Sequence, residues 1–208
     1  LAGLFPERVA SLTLVDGGLP LDSPTGAPSG GTAVLGPAAE RLSMTFADAE
    51  AYRDFWRRHP AFSEWSPAIE HYVDYDLQGE APELRSSANP IAIGADAGEL
   101  YGGADYEAAL ASIAAPVVFL RAPRGLVDEP TGLYRAERPL QSPTVPGLRV
   151  VEVDDVNHYT IVLGERGAAA VADALRGQWA TSAEVGQGTT GSGADGSAAA
   201  TSAPRAER

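Results

Sequence analysis

The residues with the clearest chemical potential lie in segment 157–160, with the sequence NHYT. This segment follows residues 148–153 (LRVVEV), where apolar and charged residues alternate as in a half-buried strand. An amphipathic helix is predicted next, over residues 165–179, and its apolar face is expected to carry Ala168, Val171, Ala172, Leu175 and Trp179. A loop between the last strand and the last helix of an α/β sheet lies at the carboxyl ends of the strands, where such sheets place reactive groups. His158 is therefore a candidate catalytic residue, and the alternative is a histidine that only packs or caps there.

A carboxylate follows an earlier strand in a similar way. Residues 116–121 (PVVFLR) form an uninterrupted apolar run after a proline, which indicates a strand buried on both faces of a parallel sheet. The turn-rich loop 122–130 comes next and contains Asp128. A strand followed by an acid, and then a strand followed by a histidine, is the second half of a Ser…Asp…His order.

These segments resemble a known family. PVVFLRAPRGLVDEP, followed by LRVVEVDDVNHYTIVLGERGAAAVADAL, resembles the C-terminal part of α/β-hydrolase-fold enzymes. The opening LFPERVASLTLVDGG is similar to the strand that comes after the nucleophile-elbow helix of that family. The resemblance covers residues 1–179 and implies an α/β fold, namely the C-terminal half of an α/β-hydrolase sheet with an inserted helical cap.

The resemblance also implies roles for the candidate residues. His158 would be the general base, and Asp128 would be the acid that orients its imidazole and stabilises the charged ring. The family usually has its acid shortly after a glycine that ends the strand, whereas here the first carboxylate comes later. Two alternatives to Asp128 therefore stay open. Glu129 is its neighbour, and Asp16 follows the earlier strand from which some members draw the acid, although Asp16 also fits a simple turn before two glycines.

The family's nucleophile is missing from this sequence. No G-x-S-x-G elbow is present, and the chain begins without methionine inside what resembles the end of a helix. We therefore expect a fragment without the nucleophile, whose complete form hydrolyses small apolar substrates. Ester hydrolysis is the default, while epoxide, haloalkane and carbon–carbon bond hydrolysis stay open because the nucleophile distinguishes them. The alternative is a non-catalytic, hydrolase-like binding module.

The chain divides into four regions. Residues 1–20 hold a strand of the sheet domain, 21–103 a loop and the helical cap, and 104–179 the C-terminal strands and helices. Residues 180–208 are rich in Ala, Gly, Ser and Thr, so we predict a disordered tail that buries too little apolar surface to offset its ordering entropy.

Two helices are predicted within the cap. The first is expected to begin with Thr45 as N-cap and to end at Pro60, and the second to begin with Ser66 as N-cap and to end at Gly79. The cap is rich in aromatic residues, which either line an apolar pocket or pack as the core of the cap. These residues are Tyr52, Phe55, Trp56, Phe62, Trp65, Tyr72 and Tyr75.

Composition narrows the classes of function. The net charge of −13 argues against a nucleic acid partner, because phosphate binding needs a basic surface. The chain has no cysteine and no run of about 18 apolar residues, so we expect no thiolate chemistry and no membrane partner. No signal peptide is present, but the missing N-terminus makes that absence uninformative, and cytoplasmic is only the default location. The three histidines and the carboxylates show no metal-binding spacing, which predicts neither metal nor other cofactor.

The expected partner is a small-molecule substrate, and the oligomeric state is unknown. All 15 basic residues other than histidine are arginine, a composition typical of high-GC bacteria.

Overall fold

The structure is a computed structural model that describes residues 1–22, 32–137 and 145–188 of the 208-residue chain. Short 3₁₀ segments lie at Pro6–Arg8, Thr32–Ser43 and Glu99–Tyr101. The strands and helices follow in chain order: β1 (Leu12–Val15), α1 (Ala49–Arg57), α2 (Pro67–Tyr75), β2 (Leu77–Gln78), β3 (Arg85–Ser86), α3 (Pro90–Asp96), α4 (Ala104–Ala111), β4 (Val117–Arg121), β5 (Arg149–Glu152), α5 (Thr160–Leu163) and α6 (Glu165–Gly188).

The main sheet has three parallel strands in the order β1-β4-β5. Val15 at the end of β1 lies opposite Leu120 of β4, and Arg121 lies opposite Glu152 of β5, so the carboxyl ends of all three strands meet at one edge. The α/β fold class is confirmed, and the three predicted strands begin and end within a residue or so of their predicted bounds.

Both faces of β4 are buried, as its apolar run predicted. Val117 and Phe119 pack on one side with Leu110 and Ile113. Val118 and Leu120 pack on the other side with residues of α6. A strand covered on both faces can present reactive groups only at its ends, which directs attention to the carboxyl edge of the sheet.

Helix α6 differs from its prediction in two respects. Its buried face carries Ala170, Val171 and Ala174, whereas Leu175 and Trp179, which were predicted to pack, are 39% and 70% exposed. The helix begins close to α5. A Cβ on Gly167 would lie only 2.4 Å from the Cα atom of Ile161. The helix also continues past residue 179 to residue 188, into the region predicted to be a disordered tail, and the remainder of that region (189–208) lies outside the described residues.

Residues 46–87 form a unit that we call the helical insert, built from α1, α2 and the β2–β3 hairpin. Ser66 caps α2 as predicted, because its hydroxyl accepts a hydrogen bond from the amide of Ile69 at 3.2 Å. Thr45 was expected to cap α1, but Asp48 does so, accepting from the amide of Ala51 at 2.8 Å. The aspartate three residues after Thr45 is therefore the N-cap.

The aromatic residues of the insert mainly pack against one another. The cluster buries Tyr52, Trp56 and Phe62, and it extends beyond the insert to Tyr159 and Leu163 beside His158. Most of the aromatic residues therefore form the packed core of the insert and do not line a pocket. Tyr75 is 84% exposed and contributes neither to a core nor to a pocket.

A polar network lies beside this cluster. The carboxylate of Asp76 accepts hydrogen bonds from Arg41 Nε at 3.0 Å, from Ser86 Oγ at 2.9 Å and from the Tyr52 hydroxyl. Burial opposes ionisation of Asp76, yet these hydrogen bonds and the charge of Arg41 lower its pKa below the ordinary value. The same burial and the bond to Asp76 raise the pKa of Tyr52 to about 12, so the phenol stays a neutral donor.

We expect Trp56→Ala to lower the free energy of unfolding by about 3–5 kcal/mol, as for other buried large-to-small changes. Trp56 is 1% exposed and its ring contacts those of Tyr52, Phe55 and Phe62, so truncation leaves a cavity at the centre of the insert. Urea denaturation followed by circular dichroism measures the change. The matched control is Trp179→Ala, which removes an exposed ring and is expected to cost less than about 0.5 kcal/mol. Equal losses in the two variants would contradict this account of the core.

Candidate functional site

Asp16 lies directly after β1 at the carboxyl edge of the sheet and is 1% exposed. Its backbone has a φ of 43°, and its amide donates to the carbonyl of Leu120 at 2.8 Å. The side chain points over the neighbouring strand, because Oδ1 accepts a hydrogen bond from the amide of Ala122 at 3.0 Å. A buried carboxylate is therefore held in place by the end of β4, with its second oxygen free to face another group.

That second oxygen faces His158. The distance between Asp16 Oδ2 and His158 Nδ1 is 2.9 Å, which is a hydrogen bond. Since an ionised carboxylate only accepts, this contact places a proton on Nδ1 and leaves the lone pair on Nε2. The imidazole side chain is 33% exposed, and its Nε2 makes no hydrogen bond to any residue of the described part of the chain. Nε2 is thus oriented to take a proton from an incoming group, as a general base must.

Asp128 is placed elsewhere. Its Oδ1 accepts from Arg124 Nε at 2.7 Å and from Asn157 Nδ2 at 2.9 Å. The prediction paired Asp128 with His158, but the structure pairs His158 with Asp16, since Asp128 is engaged by the guanidinium of its own loop. Asp128 instead contacts the residue just before His158.

Glu129, the other alternative, also does not meet the imidazole. Its Oε2 accepts from the amide of Val127 at 2.8 Å, and its backbone carbonyl accepts from the amide of Gly125 at 3.0 Å. Glu129 therefore closes its own loop, and a Cβ on Gly125 would lie 2.1 Å from the Glu129 carboxylate.

Two tyrosines hold the turn that follows Asp16. Tyr106 donates its hydroxyl to the carbonyl of Gly18 at 2.8 Å, and Tyr134 donates to the carbonyl of Leu19 at 2.7 Å. Burial raises the pKa of Tyr134 to about 12, so its hydroxyl keeps the proton that it donates. The turn is anchored from α4 and from the loop after β4, which stabilises the position of the buried carboxylate.

A cavity of about 930 Å³ opens beside the Asp16–His158 pair. Its apolar wall is built from leucine and tyrosine side chains, and carboxylates are present toward α3 and α4. The lining includes Asp16, Gly17, Gly18, Leu19, Leu21, Asp96, Glu99, Leu100, Asp105, Tyr106, Leu126, Leu133, Tyr134 and His158. Its volume is in the range of small-molecule sites.

The other two histidines do not belong to this cavity. His59 is 4% exposed and packs against the rings of Trp56 and Tyr159, with 5.4 Å between ring centroids in both cases. Burial, with a contribution from the charge of Arg41, lowers the pKa of His59. His71 is exposed on α2.

No group of three His, Asp or Glu side chains that could hold a metal ion occurs among the described residues. Within the same ranges, no helix is long and apolar enough to cross a membrane.

Sequence reasoning missed two features of the site. Asp16 was an alternative rather than the first choice, although it follows its strand more closely than Asp128 follows β4. The second feature is Asn157, which is 2% exposed and whose side chain makes four hydrogen bonds. A buried amide next to a candidate catalytic histidine carries no sequence pattern that would have revealed those partners.

Comparison with known proteins shows what this arrangement resembles. No family model and no curated protein matches the chain. Solved structures do match. The thioesterase domain from the curacin biosynthetic pathway is 20% identical with a TM-score of 0.55, and the match covers 84% of this chain and 60% of that one. E-2-(acetamidomethylene)succinate hydrolase is 21% identical with a TM-score of 0.57, and the match covers 84% of this chain and 59% of that one.

A third match is the peroxisomal α/β-hydrolase Lpx1 from Saccharomyces cerevisiae, at 10% identity and a TM-score of 0.56, covering 85% of this chain and 49% of that one. At these identities the likeness speaks for the fold, and the chain spans about 60% of the length of the first two structures. With its parallel sheet and its histidine loop after the last strand, this chain has the α/β-hydrolase fold.

Proposed function

We propose that this chain supplies the histidine, the acid and the cap of an α/β-hydrolase-type enzyme that hydrolyses small apolar substrates, with esters as the default class. The observation that carries the proposal is the 2.9 Å hydrogen bond between His158 Nδ1 and the buried Asp16. It leaves Nε2 free beside a cavity, and that is the geometry a general base requires.

In this mechanism Asp16 holds the imidazole in the Nδ1–H tautomer and stabilises its positive charge after proton transfer. His158 Nε2 removes the proton from the nucleophile and later returns it to the leaving group, or activates the hydrolytic water. The apolar wall of the cavity, with Leu19, Leu126 and Leu133, supports substrates with an apolar body.

The nucleophile is proposed to come from chain outside these 208 residues. The sequence contains no G-x-S-x-G elbow, and the solved structures with this fold are longer than the chain. The helical insert is proposed to be the cap, since it packs against Tyr159 and Leu163 next to the histidine, although its residues do not line the cavity. The small-molecule partner and the cytoplasmic location stay predictions.

The proposal predicts a contrast between this chain and the complete gene product. Purified residues 1–208 are expected to show no triad-dependent hydrolysis of short p-nitrophenyl esters, because loss of the serine alone costs about a million-fold in a comparable serine hydrolase. The complete product is expected to hydrolyse them, and a serine-directed fluorophosphonate is expected to label it and abolish turnover.

Three outcomes separate the possibilities. Fluorophosphonate-sensitive turnover by residues 1–208 alone would contradict the missing nucleophile. Activity of the complete product on epoxides or haloalkanes, without fluorophosphonate labelling, would indicate an aspartate nucleophile. A glycine or alanine at the elbow of the complete sequence, together with no turnover, would support the binding module instead.

A further inference from the structure

Asn157 is the buried residue that immediately precedes His158. It is 2% exposed, and its side-chain oxygen accepts hydrogen bonds from the amides of Tyr159 at 3.0 Å and Thr160 at 2.9 Å. Its own amide donates to Thr160 Oγ1 at 2.8 Å. These bonds span the backbone of His158, so the conformation of the histidine loop depends on the Asn157 side chain.

The amide nitrogen of the same side chain connects two other parts of the molecule. Nδ2 donates to the carbonyl of Ala61 at 2.9 Å and to Asp128 Oδ1 at 2.9 Å. Ala61 is 2% exposed and lies between α1 and α2 of the helical insert, whereas Asp128 lies on the loop after β4. Both donor hydrogens and both acceptor positions of the carboxamide are therefore used.

The residue on the other side of His158 also contacts the insert. The ring of Tyr159 packs against those of Trp56, His59 and Phe62, at centroid distances of 6.0, 5.4 and 5.3 Å. The histidine is thus bracketed by one residue that is hydrogen-bonded to the insert and one that is packed into its aromatic core.

We propose that Asn157 and Asp128 act as a positioning pair that couples docking of the helical insert to the orientation of the His158 imidazole. The catalytic meaning of this coupling rests on the function proposed above, but the coupling itself is a property of the folded chain. If the insert moves away from the sheet, Asn157 Nδ2 loses the Ala61 carbonyl as its acceptor, while Asn157 itself stays beside the sheet. A buried donor without a partner is unfavourable, and the carboxamide then reorients and releases the backbone on either side of His158.

Asp128 contributes as an acceptor in this pair, not as the acid of the imidazole. Its Oδ1 is shared by Arg124 Nε and Asn157 Nδ2, and this arrangement orients the carboxamide toward Ala61. An asparagine at position 128 keeps an acceptor oxygen for both donors, whereas an alanine removes it. Asp128 has a φ of 63°, which asparagine tolerates and alanine does not. Asp128→Asn therefore distinguishes an acceptor from a required charge, and a change in Asp128→Ala counts as loss of the acceptor only where Asn157→Ala shows the same change.

The test uses the 208-residue chain and needs no turnover. Amide hydrogen exchange of Ala61 and Phe62 reports docking of the insert. Both amides donate to His59, and Asn157 holds this segment through the carbonyl of Ala61, so the amides are expected to exchange faster when that contact is lost. The ¹H signal of the His158 Nδ1 proton reports the bond to Asp16. Asn157→Ala and Asp128→Ala are expected to raise exchange at both amides by about tenfold, the effect of losing a hydrogen bond, and to broaden or remove the imidazole signal. Asp128→Asn is expected to restore both readouts.

The matched control is Glu129→Gln, which changes the adjacent carboxylate without touching Asn157 and is expected to leave both readouts unchanged. The proposal is overturned if exchange rises while the Nδ1 signal stays as in the wild type, since the residues would then only hold the insert. It is also overturned if neither readout moves, or if Asp128→Asn behaves like Asp128→Ala. Because no outcome depends on catalysis, failure of the proposed function would show in the ester assay and not here.

Discussion

Replacing His158 with alanine in the complete enzyme is expected to lower kcat by about a thousand-fold or more. The nucleophile loses its base and the leaving group loses its acid, because in the described structure His158 alone among the histidines lies at the carboxyl edge of the sheet beside the cavity. The fold is expected to survive, since the side chain is one-third exposed and packs little. Steady-state kinetics with a p-nitrophenyl ester, together with circular dichroism, measures both effects.

The control is His71→Ala, which removes an exposed imidazole on α2 and is expected to leave kcat within about twofold, as for surface changes away from the site. If His158→Ala retained most of the activity while the protein stayed folded, the hydrolase mechanism itself would be wrong. If His71→Ala were equally harmful, the loss would reflect stability and not proton transfer.

Asp16→Asn is expected to lower kcat by about 10⁴, the effect measured when the acid of a serine protease triad becomes an amide. Asparagine still accepts from the Ala122 amide, so the backbone is expected to keep its place. Its NH₂ group facing Nδ1 favours the wrong tautomer, however, with the proton on Nε2, and it cannot support the charged ring.

The comparison with Asp128→Asn makes this prediction specific. Asparagine at position 128 keeps the acceptor for Arg124 and Asn157, so we expect its kcat to stay within about tenfold of wild type, the size of a modest hydrogen-bond change. A crippling effect of Asp128→Asn with a nearly silent Asp16→Asn would reverse the assignment of the acid and leave the role of His158 intact.

A feature of this structure could be predicted from the sequence when the residues that fix it are neighbours in the chain. The strands at 12–15 and 117–121 were predicted because apolar pattern and turn residues are local signals. Ser66 was predicted as an N-cap for the same reason, since a cap bonds an amide three residues away. The prediction of Thr45 as the N-cap of α1 was wrong, because the aspartate three residues later accepts the hydrogen bond from an amide of the first turn.

Local sequence signals did not predict which face of α6 is buried. The helix is rich in alanine, whose small side chain differs little between a buried and an exposed position, and the larger Leu175 and Trp179 suggested the wrong face. The face is set by packing against β4, where Val118 and Leu120 belong to the same cluster as Ala170, Val171 and Ala174, and this is a tertiary contact.

Local sequence patterns were enough to predict that a histidine and several acids follow strands of a parallel sheet, because each strand and the residues after it are contiguous in the chain. Which acid meets His158 depends on the tertiary structure. Asp16 and His158 are 142 positions apart, and their contact depends on the order β1-β4-β5 and on a carboxylate that reaches over the end of β4. Asp128 is closer in sequence but is held by Arg124 and Asn157. Strand order and side-chain direction arise from packing over the whole sheet, and no local pattern encodes them.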